Sequence, residues 1–283
     1  MAYSVLGVIP ARYGSARFPG KVLAPLHGRP IIEWVWRQAK KAAIDDAWIA
    51  TDDERVAEAA RAFGAHVVMT SPECASGSDR IAQAIADVDV EMIVNIQGDE
   101  PQMDPRTIDR AVGALRNDAE AVVATAMVRL HNLADFNDPN VVKVVVSQQG
   151  RALYFSRSPL PSLARVEQHT AEGGCATSSM QNTAEGGCAT SSMQNTAEGG
   201  CATEMRVKAY KHLGLYVYRK EALQLFAKLP QTPLERVEKL EQLRYLENGY
   251  AIQVIEAASD SIGVDTPGDL EHLARIFHPE QLP

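Results

Sequence analysis

Short apolar runs rich in β-branched residues alternate with stretches of helical period from the N-terminus onward. Val5–Pro10 precedes a helical pattern over Pro30–Ala43, Ala47–Thr51 precedes one over Asp53–Phe63, and His66–Met69 precedes one over Ser78–Ala86. That order predicts strands joined by crossover helices, hence a mostly parallel α/β sheet. A strand over Met92–Ile96 and a helix over Pro105–Arg116 continue the pattern. Strands then follow around Ala121–Met127, Val141–Val146 and Ala152–Phe155 without helices between them, which predicts a mixed or antiparallel section. An apolar run at Leu213–Tyr218, one charged helix over Pro233–Glu247, a strand at Ile252–Ile255 and a last helix after Pro267, docking back on the core, complete the expected order.

Between these regions the pattern disappears. The 13-residue unit Thr170–Asn182 is repeated identically at Thr183–Asn195 and begun again at Thr196–Thr203. Paired glycines and small polar residues without apolar periodicity cannot offset the entropy of ordering this backbone, so 162–209 reads as a long flexible insertion in one domain spanning 1–283. Cys175, Cys188 and Cys201 belong to the repeat, which leaves Cys74 as the one ordinary cysteine and makes a disulfide framework or a three-thiol metal site a poor reading.

Charge and hydropathy narrow the function. A net charge of -8 with no Lys/Arg cluster argues against a nucleic-acid binder, although a local basic pocket could still take a small anion. No apolar run reaches the roughly 18 residues of a membrane span, and the N-terminus lacks a secretory pattern, so no membrane insertion and a cytoplasmic location are expected.

Two segments carry candidate chemistry. The loop Pro10–Lys21 follows the first strand and combines Gly14 and Gly20 with Arg12, Arg17, Lys21 and Ser15. Its backbone can approach phosphate oxygens, its cations can neutralise them and its hydroxyl can donate, though a solvated basic loop has the same composition. Asn95-Ile-Gln-Gly-Asp-Glu-Pro101 ends a buried strand, on the sheet edge where α/β proteins bind ligands, and puts Asp99 where Mg²⁺ would need a carboxylate. Asp265, in Gly263–Pro267, is a second carboxylate at a strand-to-helix junction. Either aspartate could instead cap a turn or a helix.

Taken in order, Ile9–Lys21, Ala50–Asp53, Met69–Ser71, Ser76–Arg80, Asn95–Pro101, Ala152–Pro159, Lys211–Tyr216, Leu240–Arg244 and Gly263–Pro267 closely resemble the 3-deoxy-D-manno-octulosonate (KDO) cytidylyltransferases. The resemblance covers nearly the whole chain outside the repeat. It implies a glycosyltransferase-A or nucleotidyltransferase-like sheet flanked by helices, with a dimerisation and sugar-binding excursion. The implied reaction joins CMP from CTP to KDO, for lipopolysaccharide synthesis, in a homodimer using Mg²⁺. Arg12, Ser15, Arg17 and Lys21 would hold the CTP phosphates, Arg80 would lie where cytosine is read, and Asp99 and Asp265 would hold the metal. Arg12, Lys21, Asp99 and Asp265 form the implied catalytic set. Gln97, Arg157, His212, Tyr216, Glu241 and Gln242 would form the sugar pocket. Ser78 stands where the family usually has Thr. The residues alone leave blander readings: Arg80 as an exposed helix start paired with Asp79, His212 as a structural histidine, Glu241 as a solvated helix residue. A cytidylyltransferase for a related sugar acid or amino analogue, or a silent nucleotide-sugar binder, are the competing functions.

Overall fold

The computed structural model describes residues 2–15, 17–163 and 208–281. The repeat, and the flexible insertion expected there, lie outside the described residues apart from the flanking 162–163 and 208–209. In chain order the elements are β1 (Tyr3–Ala11), β2 (Pro25–Leu26), β3 (Arg29–Pro30), α1 (Ile31–Ala39), β4 (Asp46–Thr51), α2 (Glu54–Ala62), β5 (His66–Met69), α3 (Gly77–Ala84), β6 (Val90–Asn95) and α4 (Pro105–Arg116). They continue with β7 (Ala121–Arg129), α5 (Leu133–Asn137), β8 (Lys143–Val146), β9 (Ala152–Ser156), β10 (Tyr210–Arg219), α6 (Lys220–Phe226), α7 (Pro233–Glu238), α8 (Leu243–Glu247), β11 (Ala251–Glu256) and α9 (Pro267–Ile276).

A nine-stranded sheet runs in the order β11-β7-β10-β6-β1-β4-β5, with β8 and β9 appended beside β10. Strands β6, β1, β4 and β5 pair in parallel, as crossover helices require, while β10 enters antiparallel between β6 and β7. The expected change from parallel to mixed pairing is therefore present, and its cause is β10, which returns to the sheet after the excursion. Central strands read as continuous apolar runs because both faces are covered. Along β1, Val5 and Ile9 face one core and Leu6 and Val8 the other.

Helix starts follow their caps. Ser76 and Asp79 form a reciprocal capping box on α3, Thr266 and Asp269 do so on α9, and Asp104 accepts from Arg106 N ahead of Pro105 on α4. Helix α9 returns to the core through buried Leu273 and through Phe277, whose ring meets Trp34 edge-on and stacks with His27.

One expected element is corrected. The single helix over Pro233–Glu247 is two short helices, because α7 ends at Lys239 in the left-handed region (φ 57°) and α8 starts only at Leu243. The pieces are joined by Arg244, whose guanidinium donates to Glu235 Oε2 at 2.8 Å and to the carbonyls of Phe226 and Leu229. The intervening turn carries Glu241 and Gln242.

Candidate active site

Strands β1 and β6 are neighbours, so the loops leaving their carboxyl ends meet. Gly98 approaches β1 so closely that a Cβ there would lie 3.2 Å from the Pro10 carbonyl oxygen. The basic loop folds back on itself through Gly20, whose N–H donates to Tyr13 O at 2.8 Å and whose φ of 74° suits glycine. The loop then turns Lys21 inward. Its ammonium bonds the Asp99 carboxylate and lies 3.0 Å from Asp265 Oδ1, while Arg17 pairs with Asp265 Oδ2 at 2.9 Å. Burial opposes charge on Lys21, but Asp99 and Asp265 outweigh it and raise its pKa above the usual lysine value.

Neither carboxylate is consumed by capping. The Thr266 side chain caps α9, leaving Asp265 aimed at Lys21, and backbone bonds close the turn after Asp99. Val264 N donates to Asp99 O at 3.0 Å, tying together the two segments that carry the pair. Two carboxylates converging on one cation, beside a basic loop, suit Mg²⁺, which takes one or two protein carboxylates with phosphate oxygens and water. No cluster of three or more His, Cys, Asp or Glu positioned for a metal occurs among the described residues, so any metal there would complete its shell from ligand and solvent.

Two cavities open here. One, of about 480 Å³, is lined by Arg12, Ser15, Arg17, Lys21, Arg80 and Asp99. The other, of about 850 Å³, is lined by Gln97, Arg157, His212, Tyr216, Glu241 and Gln242. Arg17, Gly77, Gln97, Glu241 and Asp265 line both, so the cavities share a wall with Asp265 at the junction. Every site residue expected from the sequence lines one or the other.

The local bonds revise several of the bland readings. Arg80 is buried rather than exposed, and it bonds Thr70 Oγ1 and Asp52 Oδ2 (3.0 Å) instead of pairing with Asp79. Asp53 caps α2, but Asp52 holds Arg80. Glu241 lies in the turn before α8, not on a solvated helix, and accepts from Ser78 Oγ at 2.9 Å; burial raises its pKa. The hydroxyl at position 78 is thus used for this contact. Gln242 lines the larger cavity, and its Nε2 is buried with no hydrogen-bond partner among the described residues. Arg157 is fixed by Nε to Glu238 O at 2.8 Å and Nη1 to Pro139 O at 3.1 Å, and its Nη2 has no hydrogen bond to the described residues. His212 is both structural and cavity-lining: burial lowers its pKa to about 3, so the ring is neutral. Burial likewise keeps the Tyr216 phenol protonated.

Sequence reasoning passed over Glu238 and Glu100. Glu238 takes Arg157 N–H at 2.9 Å and the Ser156 hydroxyl at 2.7 Å. Glu100 lies against β10, where a Cβ on Gly214 would come within 2.8 Å of its Oε1. Burial, helped by Asp99, pushes Glu100 up to about 7. Its place in the Asn95–Pro101 motif was the available signal; Glu238 gave none, because its partners lie about 80 residues away.

A basic loop and paired carboxylates at the carboxyl ends of parallel strands, opening on a second polar cavity, define a nucleotidyltransferase architecture. The chain belongs to the cytidylyltransferase family, whose model matches residues 6–254. Among its relatives, the 3-deoxy-manno-octulosonate cytidylyltransferase of Geobacter metallireducens is 46% identical over 94% of this chain and 95% of its own length. That of Solibacter usitatus is 42% identical over 98% and 96%. A solved structure of CMP:2-keto-3-deoxy-manno-octonic acid synthetase complexed with CTP superposes with a TM-score of 0.80 at 34% identity, covering 98% of this chain and 99% of that one. A putative glucose-1-phosphate thymidylyltransferase from Bacillus anthracis, at 16% identity and TM-score 0.61, shares the fold.

Proposed function

We propose that this chain transfers CMP from CTP to KDO, releasing pyrophosphate. The observation that carries the reading is the shared wall between a cavity with Arg12, Arg17, Lys21 and Arg80 in its lining and a second one lined by polar and charged groups of both signs, with Asp265 at the junction and Asp99 beside it. The names of the relatives supply the substrates.

In this reading the triphosphate lies along the loop from Arg12 to Lys21, and the sugar acid occupies the larger cavity. The anomeric hydroxyl of KDO forms the new bond to the α-phosphorus as the bond to the pyrophosphate oxygen breaks. The obstacle is charge, since a carboxylate-bearing sugar must approach a polyanion. Arg12, Arg17 and Lys21 offset that repulsion and stabilise the charge that develops on the phosphoryl oxygens. Asp99 and Asp265 would hold Mg²⁺, which when bound neutralises phosphate charge and favours the leaving group. Lys21 holds the two carboxylates together until ligand arrives, then turns to phosphate. Arg157 takes the sugar carboxylate, and Gln97, His212, Tyr216, Glu241 and Gln242 take hydroxyls. Positioning and electrostatics, rather than a dedicated base, supply most of the acceleration. The homodimer, the cytoplasmic location and the place in lipopolysaccharide synthesis belong to the same proposal and rest on the family resemblance.

Pyrophosphate release tests it, measured with CTP or UTP against KDO, N-acetylneuraminate or no acceptor. Release with CTP and KDO alone is expected. Release with another acceptor would change the substrate but keep the fold's chemistry, and CTP binding without release would favour a silent binding protein.

A further inference from the structure

His212 sits in the larger cavity as a neutral ring, and what it can do there depends on which nitrogen carries the proton. Strand pairing answers this. Along β10 and β7, Leu213 faces Ala126 but Tyr216 faces Thr125, so Gly214 and Leu215 bulge out of register. The Leu215 carbonyl is satisfied by a side chain: Thr125 Oγ1 lies 2.7 Å from it, with Leu213 O farther off at 3.5 Å. Thr125 is fully buried, so its hydroxyl has no access to solvent.

A hydroxyl has one proton, and a carbonyl oxygen can only accept. The Thr125 proton therefore goes to Leu215, and its oxygen is an acceptor toward its other neighbour. That neighbour is His212 Nε2, at 2.8 Å. The imidazole must be the donor in this contact, and a neutral imidazole has a single N–H, so Nδ1 is left bare. Phe155, edge-on at 79°, and Tyr216, tilted at 53°, hold the ring plane. Nδ1 has no partner among the described residues, and the side chain lines the cavity with Tyr216 and Gln242.

We propose that Thr125 is a positioning residue that fixes His212 as its Nε2–H tautomer, so that Nδ1 accepts a hydrogen bond from a hydroxyl of the bound sugar acid. His212 thus reads a donor on the substrate and takes no part in holding its carboxylate. The inference rests on the KDO reading for the identity of the donor, and on the hydrogen-bond geometry together with the neutrality of the buried ring for the tautomer. It makes the β10 bulge part of the specificity device: the bulge presents Leu215 O, Leu215 O takes the Thr125 proton, and Thr125 in turn orients the histidine.

The test has two readouts. In protein labelled with ¹⁵N-histidine, two-bond ¹H–¹⁵N correlation at pH 7 gives the tautomer, with His212 assigned by its loss in His212→Phe. Protonated Nε2 and bare Nδ1 are expected, with Nδ1 shifting when KDO is added; protonated Nδ1 or an imidazolium would overturn the proposal. In kinetics, Thr125→Val removes the hydroxyl at similar volume, and should raise KM for KDO about tenfold, the size of one lost neutral hydrogen bond, with kcat and KM for CTP nearly unchanged. Thr125→Ser should restore wild-type KM. Equal losses in both variants, or an unchanged KM in Thr125→Val, would also overturn it. Absence of any turnover with KDO in the wild-type enzyme would sink the functional reading instead, and the tautomer spectrum would still decide this one.

Discussion

The two cavities are built on opposite plans. The smaller draws on the tips of adjacent parallel strands, with Arg12 to Lys21 in one loop and Asp99 in the next. Two of its cations are poorly enclosed, since the Arg17 side chain is 60% exposed and Arg12 is exposed as well, while Lys21 and Arg80 lie deeper. The larger draws on Arg157 just after β9, on β10 and on the turn between α7 and α8, and its Arg157, His212 and Glu241 are bonded to protein before any ligand arrives. His212 is 9% exposed and Gln242 5%. Phosphate recognition tolerates a loose frame because charge acts at a distance, whereas hydroxyl recognition needs donors and acceptors set to within fractions of an ångström. Perturbation should therefore act on affinity and charge on one side, and on geometry on the other.

The junction should be the most sensitive place, because both plans meet there. Asp99→Asn is expected to lower kcat by about 10³-fold or more, the cost of misplacing charge stabilisation at the reacting phosphoryl group. Circular dichroism should be unchanged; full activity in this variant would refute the role given to the carboxylate pair. The next largest effect should be on stability and confined to the sugar side. Glu235→Ala strands Arg244, a buried guanidinium, and should destabilise the fold by about 3 kcal/mol. A denaturation midpoint equal to wild type would show that the break between α7 and α8 does not depend on this pair.

How legible each cavity was in the sequence follows the same division. The smaller is local: Arg12, Ser15, Arg17 and Lys21 lie within ten residues, and Asp99 sits in a single motif, so spacing and residue type alone suggested a phosphate site. The parallel half of the sheet was legible for a related reason, because apolar runs alternating with helical periods admit few topologies. The larger cavity became visible only through the family resemblance. His212 and Glu241 have ordinary surroundings in the sequence, and their roles come from Thr125, 87 residues from His212, and Ser78, 163 from Glu241. The helix expected over Pro233–Glu247 failed for a physical reason. Nothing in Lys239–Gln242 resembles a helix stop, and the left-handed turn at Lys239 follows from the tertiary bonds of Arg244 and Glu235 overriding local propensity.

A pair of substitutions separates the cavities directly. Arg12→Ala should raise KM for CTP about tenfold, and less at high salt, since an exposed cation acts through a screened field. Arg157→Ala should raise KM for KDO by about 30-fold and leave CTP unaffected, the loss of a charge-assisted contact. Crossed effects, with Arg157→Ala weakening CTP as strongly as KDO, would mean that the two cavities are one binding unit and that the division drawn above is wrong.

The smallest effect concerns Glu238, which holds Arg157 from beneath. Partial burial works against its ionised form, but the Arg157 N–H and the Ser156 and Tyr154 hydroxyls outweigh burial and lower its pKa below the usual 4.5. A carboxylate whose folded-state pKa is depressed contributes stability above its unfolded pKa and loses it as pH falls through the folded value. The contribution should therefore be complete at pH 7, begin to fade below about pH 4.5 and be gone well under that. Glu238→Gln cannot ionise, so its Tm should lie a few degrees below wild type at pH 7, and the gap should narrow as the pH is lowered below the usual carboxylate range. A gap that does not narrow at all as the pH falls would show that the charge is not what fixes Arg157. The loss of an acceptor oxygen at position 238, where a glutamine amide nitrogen would face the donors of Tyr154, Ser156 and Arg157, would then be responsible.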